Sequence, residues 1–154
     1  MIDRFLDISS EITAFTKFDL LGTGQAQEYL NAVTGVIGQA TLDELYNAYD
    51  RLRNTKRPQR EERLRREIFG DEKLGPIARN IIKMWYLGIW FELPRAWTQS
   101  FGALPGNKSF MVSAAAYTEG LLWPAIGANP SGAKAPGYGS WAAPPQIPAV
   151  PILP

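Results

Sequence analysis

Histidine and cysteine, the side chains that most often carry chemistry near neutral pH, are both missing from this 154-residue chain. Without cysteine there is no disulfide, no thiolate-held zinc, no iron–sulfur cluster, no thiol nucleophile and no covalently attached c-type haem. Without histidine, the usual general base, the commonest metal ligand and the usual haem ligand are lost as well. An active site on this chain alone would have to be assembled from carboxylates, lysines or tyrosines.

Four stretches hold residue types from which a site could be made, and each has a plainer reading. The run "RLRNTKRPQREERLRR" (51–66) sets eight Arg/Lys against Glu61 and Glu62. Such a density could grip a nucleic acid or an acidic partner. It lacks the interleaved aromatics of a nucleic-acid platform. A solvated helix with pairs such as Glu61–Arg65 and Glu62–Arg66, four residues apart, accounts for it. The second stretch, "LLGTGQAQ" (20–27), offers Gly22 and Gly24. No strand precedes it and no third glycine follows in place, so it reads as a helix entry and not as a dinucleotide fingerprint. The third, "MWYLGIW" (84–90), could be an aromatic binding box, but its composition is also that of a packed core. Last, Glu119 in "YTEGLLW" is the one acid between residues 93 and 154. With no second carboxylate or lysine nearby in sequence, it reads as a structural acceptor or as the partner of an arginine, on this chain or another.

The elements that would position these residues divide the chain near residue 93. Residues 1–92 hold 27 of the 31 charges and two of the 12 prolines; residues 93–154 hold four charges and ten prolines. In the first part, "IDRFLDISSEITAF" places Phe5, Ile8, Ile12 and Phe15 on one helical face. "GTGQAQEYLNAVTGVIG" does the same with Tyr29, Leu30, Val33, Val36 and Ile37, with Thr23 as a cap and Gly38 as a stop. "ATLDELYNAYDRLR" opens on a capping box, Thr41 with Glu44, and carries Leu42, Leu45, Tyr46, Tyr49 and Leu52. "RPQREERLRREIFG" has Pro58 near its first turn and Gly70 at its end, and few apolar residues, so it should lie mostly exposed. From Pro76 to Phe91 a further helix is apolar nearly all round, which requires burial on every side. Gly88 inside it costs about 1 kcal/mol relative to alanine, so another piece of chain should approach the backbone there.

Residues 110–123 read either as a helix or as an extended run, ended by Pro124. Beyond lies a Gly/Pro-rich tail suited to polyproline-II conformation. The expectation is an all-α fold: a small irregular helical bundle around a central buried helix at about 76–91, with a long extended C-terminal tail. The helical domain is placed at 1–123 and the partner-binding tail at 124–154. The tail is apolar, nearly uncharged and poor in backbone donors, so it can be buried without regular structure. Tyr138 and Trp141, with Trp123 upstream, are rigid aromatic anchors of the kind enriched at interface hot spots. The longest apolar run, residues 84–91, is too short to cross a membrane, and the opening "MIDRFLDISSEI" shows no export signal.

At "WYLGIW" (85–90), "SAAAYTEGLLWPAIGANPSGAKAPGYGSWAAPP" (113–145) and "FLDISSEITAFTKFD" (5–19), the chain resembles a known family. It is similar to the small subunit of bacterial membrane-associated, FAD-dependent sugar and polyol dehydrogenase complexes, of the sorbitol, fructose and glucose dehydrogenase kind. The likeness spans most of the length and thins across residues 38–73. The resemblance implies a non-catalytic subunit, with no cofactor on this chain. A large flavoprotein subunit would carry FAD and the substrate site, and a cytochrome c subunit would pass electrons to the membrane quinone pool. The small subunit would bind the flavoprotein and support its maturation and export to the periplasm, touching the membrane only through the complex. The residues expected at the partner are Trp85, Tyr117, Glu119, Trp123, Tyr138, Trp141, Pro144 and Pro145. Against this stand a basic-helix nucleic-acid-binding protein and a stand-alone helical enzyme or small-molecule binder.

Overall fold

A computed structural model describes residues 1–131 and residue 133. The expectations for Tyr138, Trp141, Pro144, Pro145 and most of the 124–154 tail lie outside the described residues. Within them the chain is predominantly helical, with seven α-helices and one two-stranded pairing among the described residues.

The first helix, α1 (Ile2–Thr13), buries Phe5 and Ile8 and turns Ile12 partly inward, as does Phe15 just beyond its end. It ends at Ala14, whose φ of 63° is left-handed. A short helix not expected from the sequence follows, α2 (Lys17–Gly22). A capping box opens it. The Thr16 hydroxyl accepts from the Asp19 N–H at 3.2 Å, and the Asp19 carboxylate accepts from the Thr16 N–H at 2.9 Å.

The long helix α3 (Ala26–Arg53) joins two segments expected to be separate. The expected stop, Gly38, is instead a kink at φ 76°, ψ 159°. Both expected apolar faces are buried, from Tyr29 to Ile37 and from Leu42 to Leu52. The anticipated box at Thr41 and Glu44 gives way, because helix already precedes Thr41. Glu44 reaches Lys73 at 2.7 Å instead. Nor does Thr23 cap α3: its hydroxyl donates to the Leu20 carbonyl at 2.7 Å, while Gln25 holds the N-cap position.

The basic run closes α3 and forms α4 (Arg57–Leu64), with Pro58 in its first turn. A single π-helical turn (Arg65–Phe69) continues it to Gly70. Leu64 and Ile68 face inward and the charged residues outward. The expected Glu61–Arg65 and Glu62–Arg66 pairs are not among the ion pairs of the described residues, where Glu61 holds Arg57 and Arg66 reaches Glu67. Arg57–Glu61 at 3.3 Å and Arg63–Glu67 at 2.9 Å replace them.

Helix α5 (Leu74–Leu87) is the central element. It packs against α1, α3, the π turn and the segment after it, and it leaves Ile77, Ala78, Ile81, Met84 and Trp85 without accessible surface. Its end corrects the sequence expectation of a helix to residue 91. Gly88 takes the left-handed conformation, φ 74°, and its N–H returns to the Met84 carbonyl at 2.8 Å, which terminates the helix. Ile89–Trp90 (β1) then pairs antiparallel with Phe110–Met111 (β2), Ile89 opposite Met111 and Trp90 opposite Phe110. Nor is α5 buried on every side, for Lys83 and Leu87 are exposed.

The second part of the chain adds α6 (Arg95–Phe101) and α7 (Leu122–Ala125), joined by turns. Residues 110–123 are thus neither one helix nor one strand. Pro124 lies inside α7, in a first turn where no N–H is needed, and α7 spans the expected domain boundary at 123/124. Among the described residues no helix is long and apolar enough to cross a membrane.

Candidate partner-binding surface

The last turn of a helix leaves carbonyls without intrahelical donors. At the end of α5 the returning chain supplies them. The Val112 N–H donates to the Gly88 carbonyl at 3.0 Å and the Leu121 N–H to the Trp85 carbonyl at 3.0 Å. Two glycines permit so close an approach. A β-carbon at Gly120 would stand 2.7 Å from the Tyr86 carbonyl oxygen, and one at Gly88 would meet Ala116. The approach anticipated at Gly88 is present, with Gly88 as the helix terminator and not a mid-helix residue. Residues 110–126 are thereby strapped across the end of the central helix.

The strap is held from both sides. The Ser113 hydroxyl lies within hydrogen-bonding distance of both the Gln25 side-chain oxygen and the Ala116 N–H. Within it, the Trp123 indole N–H donates to the Tyr117 carbonyl at 2.7 Å, and the two rings meet edge to face with centroids 5.3 Å apart. The polar edge of Trp123 is used internally, so its indole is fixed while part of its ring stays in solvent. The Tyr117 hydroxyl donates to the Ser131 carbonyl at 3.3 Å, which ties the strap to the chain beyond α7.

Two adjoining depressions share Trp123. The smaller, about 220 Å³, is walled by Leu87 and Ile89 from the end of α5 and β1, by Met111, and by Tyr117. The larger, about 490 Å³, runs to α2 and the residues before it, where Phe18 and Phe15 line it together with Trp123, Pro124 and Pro130, with Asp19, Thr118 and Glu119 among its polar members. Around them stand large apolar side chains open to solvent: Phe18 is 84% exposed and Leu21 55%, with Met111, Tyr117 and Ile126 also exposed. Phe18 and Leu21, three residues apart, share a face of α2.

Of the described residues expected at a partner, Tyr117, Glu119 and Trp123 all border these depressions. Glu119 also lies close enough to Tyr29 for its charge, after burial, to raise the phenol far above its ordinary value. Trp85 belongs elsewhere. It is fully buried, with Phe5 stacked at 6.0 Å and Tyr29 edge-on at 4.8 Å. It is a core residue, because the strap covers the end of α5 on which it sits, and it presents no surface to a partner. Phe18 and Leu21 went unnoticed in the sequence. Their helix is six residues long, too short for an apolar period, and only the Thr16/Asp19 spacing announced it.

The basic run is largely neutralised within the chain. Arg53, Arg57, Arg60, Arg63 and Arg66 pair with Asp7, Asp50, Glu61, Glu11 or Glu67. The Arg63 and Arg66 guanidiniums hold the Glu67 carboxyl below the usual range, chiefly through the hydrogen bond from Arg63. No group of three or more carboxylates suited to a metal occurs among the described residues. The arrangement offers shape and apolar area, and its polar lining includes the Thr118 hydroxyl, which donates to the Glu119 carboxylate at 3.4 Å. Compared with protein-family profiles, with curated proteins and with solved structures, the chain finds no match.

Proposed function

We propose that this chain is a non-catalytic accessory subunit that binds a large FAD-dependent sugar or polyol dehydrogenase subunit and supports its maturation and export to the periplasm. The observation that carries the reading is the apolar surface formed by α2 and the strap at 110–126. It coincides with two of the three stretches on which the resemblance rests. Contiguous exposed apolar surface on a small protein marks an interaction site, and aromatic anchors held by their own hydrogen bonds lose little entropy on binding. Here Trp123 and Tyr117 are such anchors. In this reading FAD and the substrate pocket belong to the partner, a cytochrome c subunit joins the same complex, and the tail beyond residue 133 extends the contact through Tyr138, Trp141, Pro144 and Pro145.

Co-expression with a large flavoprotein encoded beside this chain tests the reading. Affinity capture of this chain should retain a yellow, flavin-containing partner, and omission of this chain should lower the yield of active flavoprotein. Turnover or stoichiometric FAD in this chain purified alone would refute it, as would a flavoprotein that matures fully without it.

A further inference from the structure

A cleft of about 420 Å³ opens between α1, the start of α2 and the α4–π-turn segment. Two departures from regular backbone border it. Ala14 is the one non-glycine residue at positive φ among the described residues. The π turn places Arg65 and Phe69 in the opposite wall. Single π turns inside helices recur at functional sites, and so does strained backbone.

The charges of the cleft are unequal. Four cations line it, Lys17, Arg57, Arg60 and Arg65, against the three carboxylates Asp7, Glu11 and Glu61. Each carboxylate is committed. Asp7 holds Lys17, Glu11 holds Arg60 at 3.0 Å, and Glu61 holds Arg57 at 3.3 Å. Arg65 has no carboxylate partner among the described residues, and the cleft keeps one positive charge. The rest of its wall is Ser10 and Ala14 together with the larger faces of Tyr49, Leu64 and Phe69.

We propose that this cleft binds a small organic monoanion, a carboxylate carried on an apolar or ring-shaped body. The carboxylate meets the Arg65 guanidinium, whose planar fork suits it bidentately, and the body lies against Tyr49, Leu64 and Phe69. The volume is that of small-ligand sites, and the cleft pairs a strongly charged side with a smaller apolar one. A monoanion fits better than a dianion because one cation is left over. The inference is independent of the dehydrogenase reading.

Benzoate is a suitable probe, titrated into the full chain at low salt and followed by amide chemical shifts. Saturable shifts should appear at Arg65, Phe69 and Tyr49. The neutral isostere benzamide should bind at least roughly tenfold more weakly, and Arg65→Gln should cost benzoate roughly tenfold or more. Arg51→Gln, which removes an exposed arginine outside the cleft, should leave binding unchanged. Arg65 is exposed, so R65Q should keep the parent thermal midpoint, which confirms that the variant is folded. The proposal is overturned if benzoate gives no saturable shift at millimolar concentration, if benzamide binds as tightly, if R65Q binds benzoate like the parent, or if inorganic phosphate competes equally well.

Discussion

A β-carbon on Gly88 would stand 2.6 Å from both the carbonyl carbon and the carbonyl oxygen of Ala116. That contact joins the end of the central helix to the strap that carries Tyr117, Glu119 and Trp123. Glycine is required there twice over, for its left-handed φ of 74° and for the absence of a methyl group. Gly88→Ala should therefore destabilise the chain by about 2–5 kcal/mol, from left-handed strain together with backbone overpacking. Urea unfolding should show it as a lower midpoint. A midpoint within error of the parent would mean that the strap does not sit on α5 as described.

Ala14 has a similar φ, 63°, yet it is not glycine. Here the substitution runs the other way. Ala14→Gly relieves the left-handed strain of roughly 1–2 kcal/mol, while the freer unfolded chain takes back about 0.4–1 kcal/mol. A net gain of up to about 1.5 kcal/mol is expected, seen as a higher urea midpoint with unchanged slope. Gly88 and Ala14 together separate conformation from crowding, because both are left-handed and only Gly88 is pressed by a neighbouring chain.

The buried tyrosines set an alkaline limit. Burial, followed by the charges of Glu11 and Asp7, pushes the Tyr49 phenol up to about 12 from its ordinary 10.0. Tyr29 and Tyr46 are raised further, burial again being the largest cause. A raised native value means that the folded state keeps its proton where the unfolded state loses it. The stabilisation is complete below the unfolded value near 10 and disappears as pH rises through the native value. Stability should thus fall from about pH 10 upward, and tyrosinate absorbance from these residues should appear together with loss of helical circular dichroism. Early titration of Tyr29, Tyr46 and Tyr49 in a still-folded chain would contradict their burial.

The helical faces were legible because each apolar stripe is long. Tyr29 to Ile37 and Leu42 to Leu52 span several turns, and burial follows the period. The end of α5 was not legible in the same way. Apolar residues continue from Met84 through Gly88 to Phe91 without a break, and periodicity cannot separate a buried helix from a buried strand that follows it. What ends the helix is Gly88 with Ala116 against it, a contact between residues 28 apart in sequence. Likewise Trp85 and Trp123 look alike in the sequence, each aromatic in an apolar run. One is covered by the strap and the other sits on it. The cleft at Arg65 depends on a π turn, for which the run "RLRREIF" carries no period or cap signal.

The difference between those two tryptophans supplies the last test. Trp85 is fully buried between Phe5 and Tyr29, so Trp85→Ala should cost about 3–5 kcal/mol of folding stability. Phe18 is 84% exposed and Trp123 only partly buried, so Phe18→Asp combined with Trp123→Asp should act on binding far more than on folding. Trp123 does give up its bond to the Tyr117 carbonyl, and a loss of roughly 1 kcal/mol in the isolated chain is expected from that. At an interface, removing a central aromatic anchor costs roughly 2 kcal/mol or more, about thirtyfold in affinity, and the new carboxylates add desolvation. Capture of the co-expressed flavoprotein should fall sharply with the double variant while its helical circular dichroism matches the parent. Arg51→Gln, away from the apolar surface, serves as the control and should capture normally. If the double variant holds the flavoprotein as tightly as the parent does, then α2 and the strap are not the interface, and the partner must be sought on another face of the bundle.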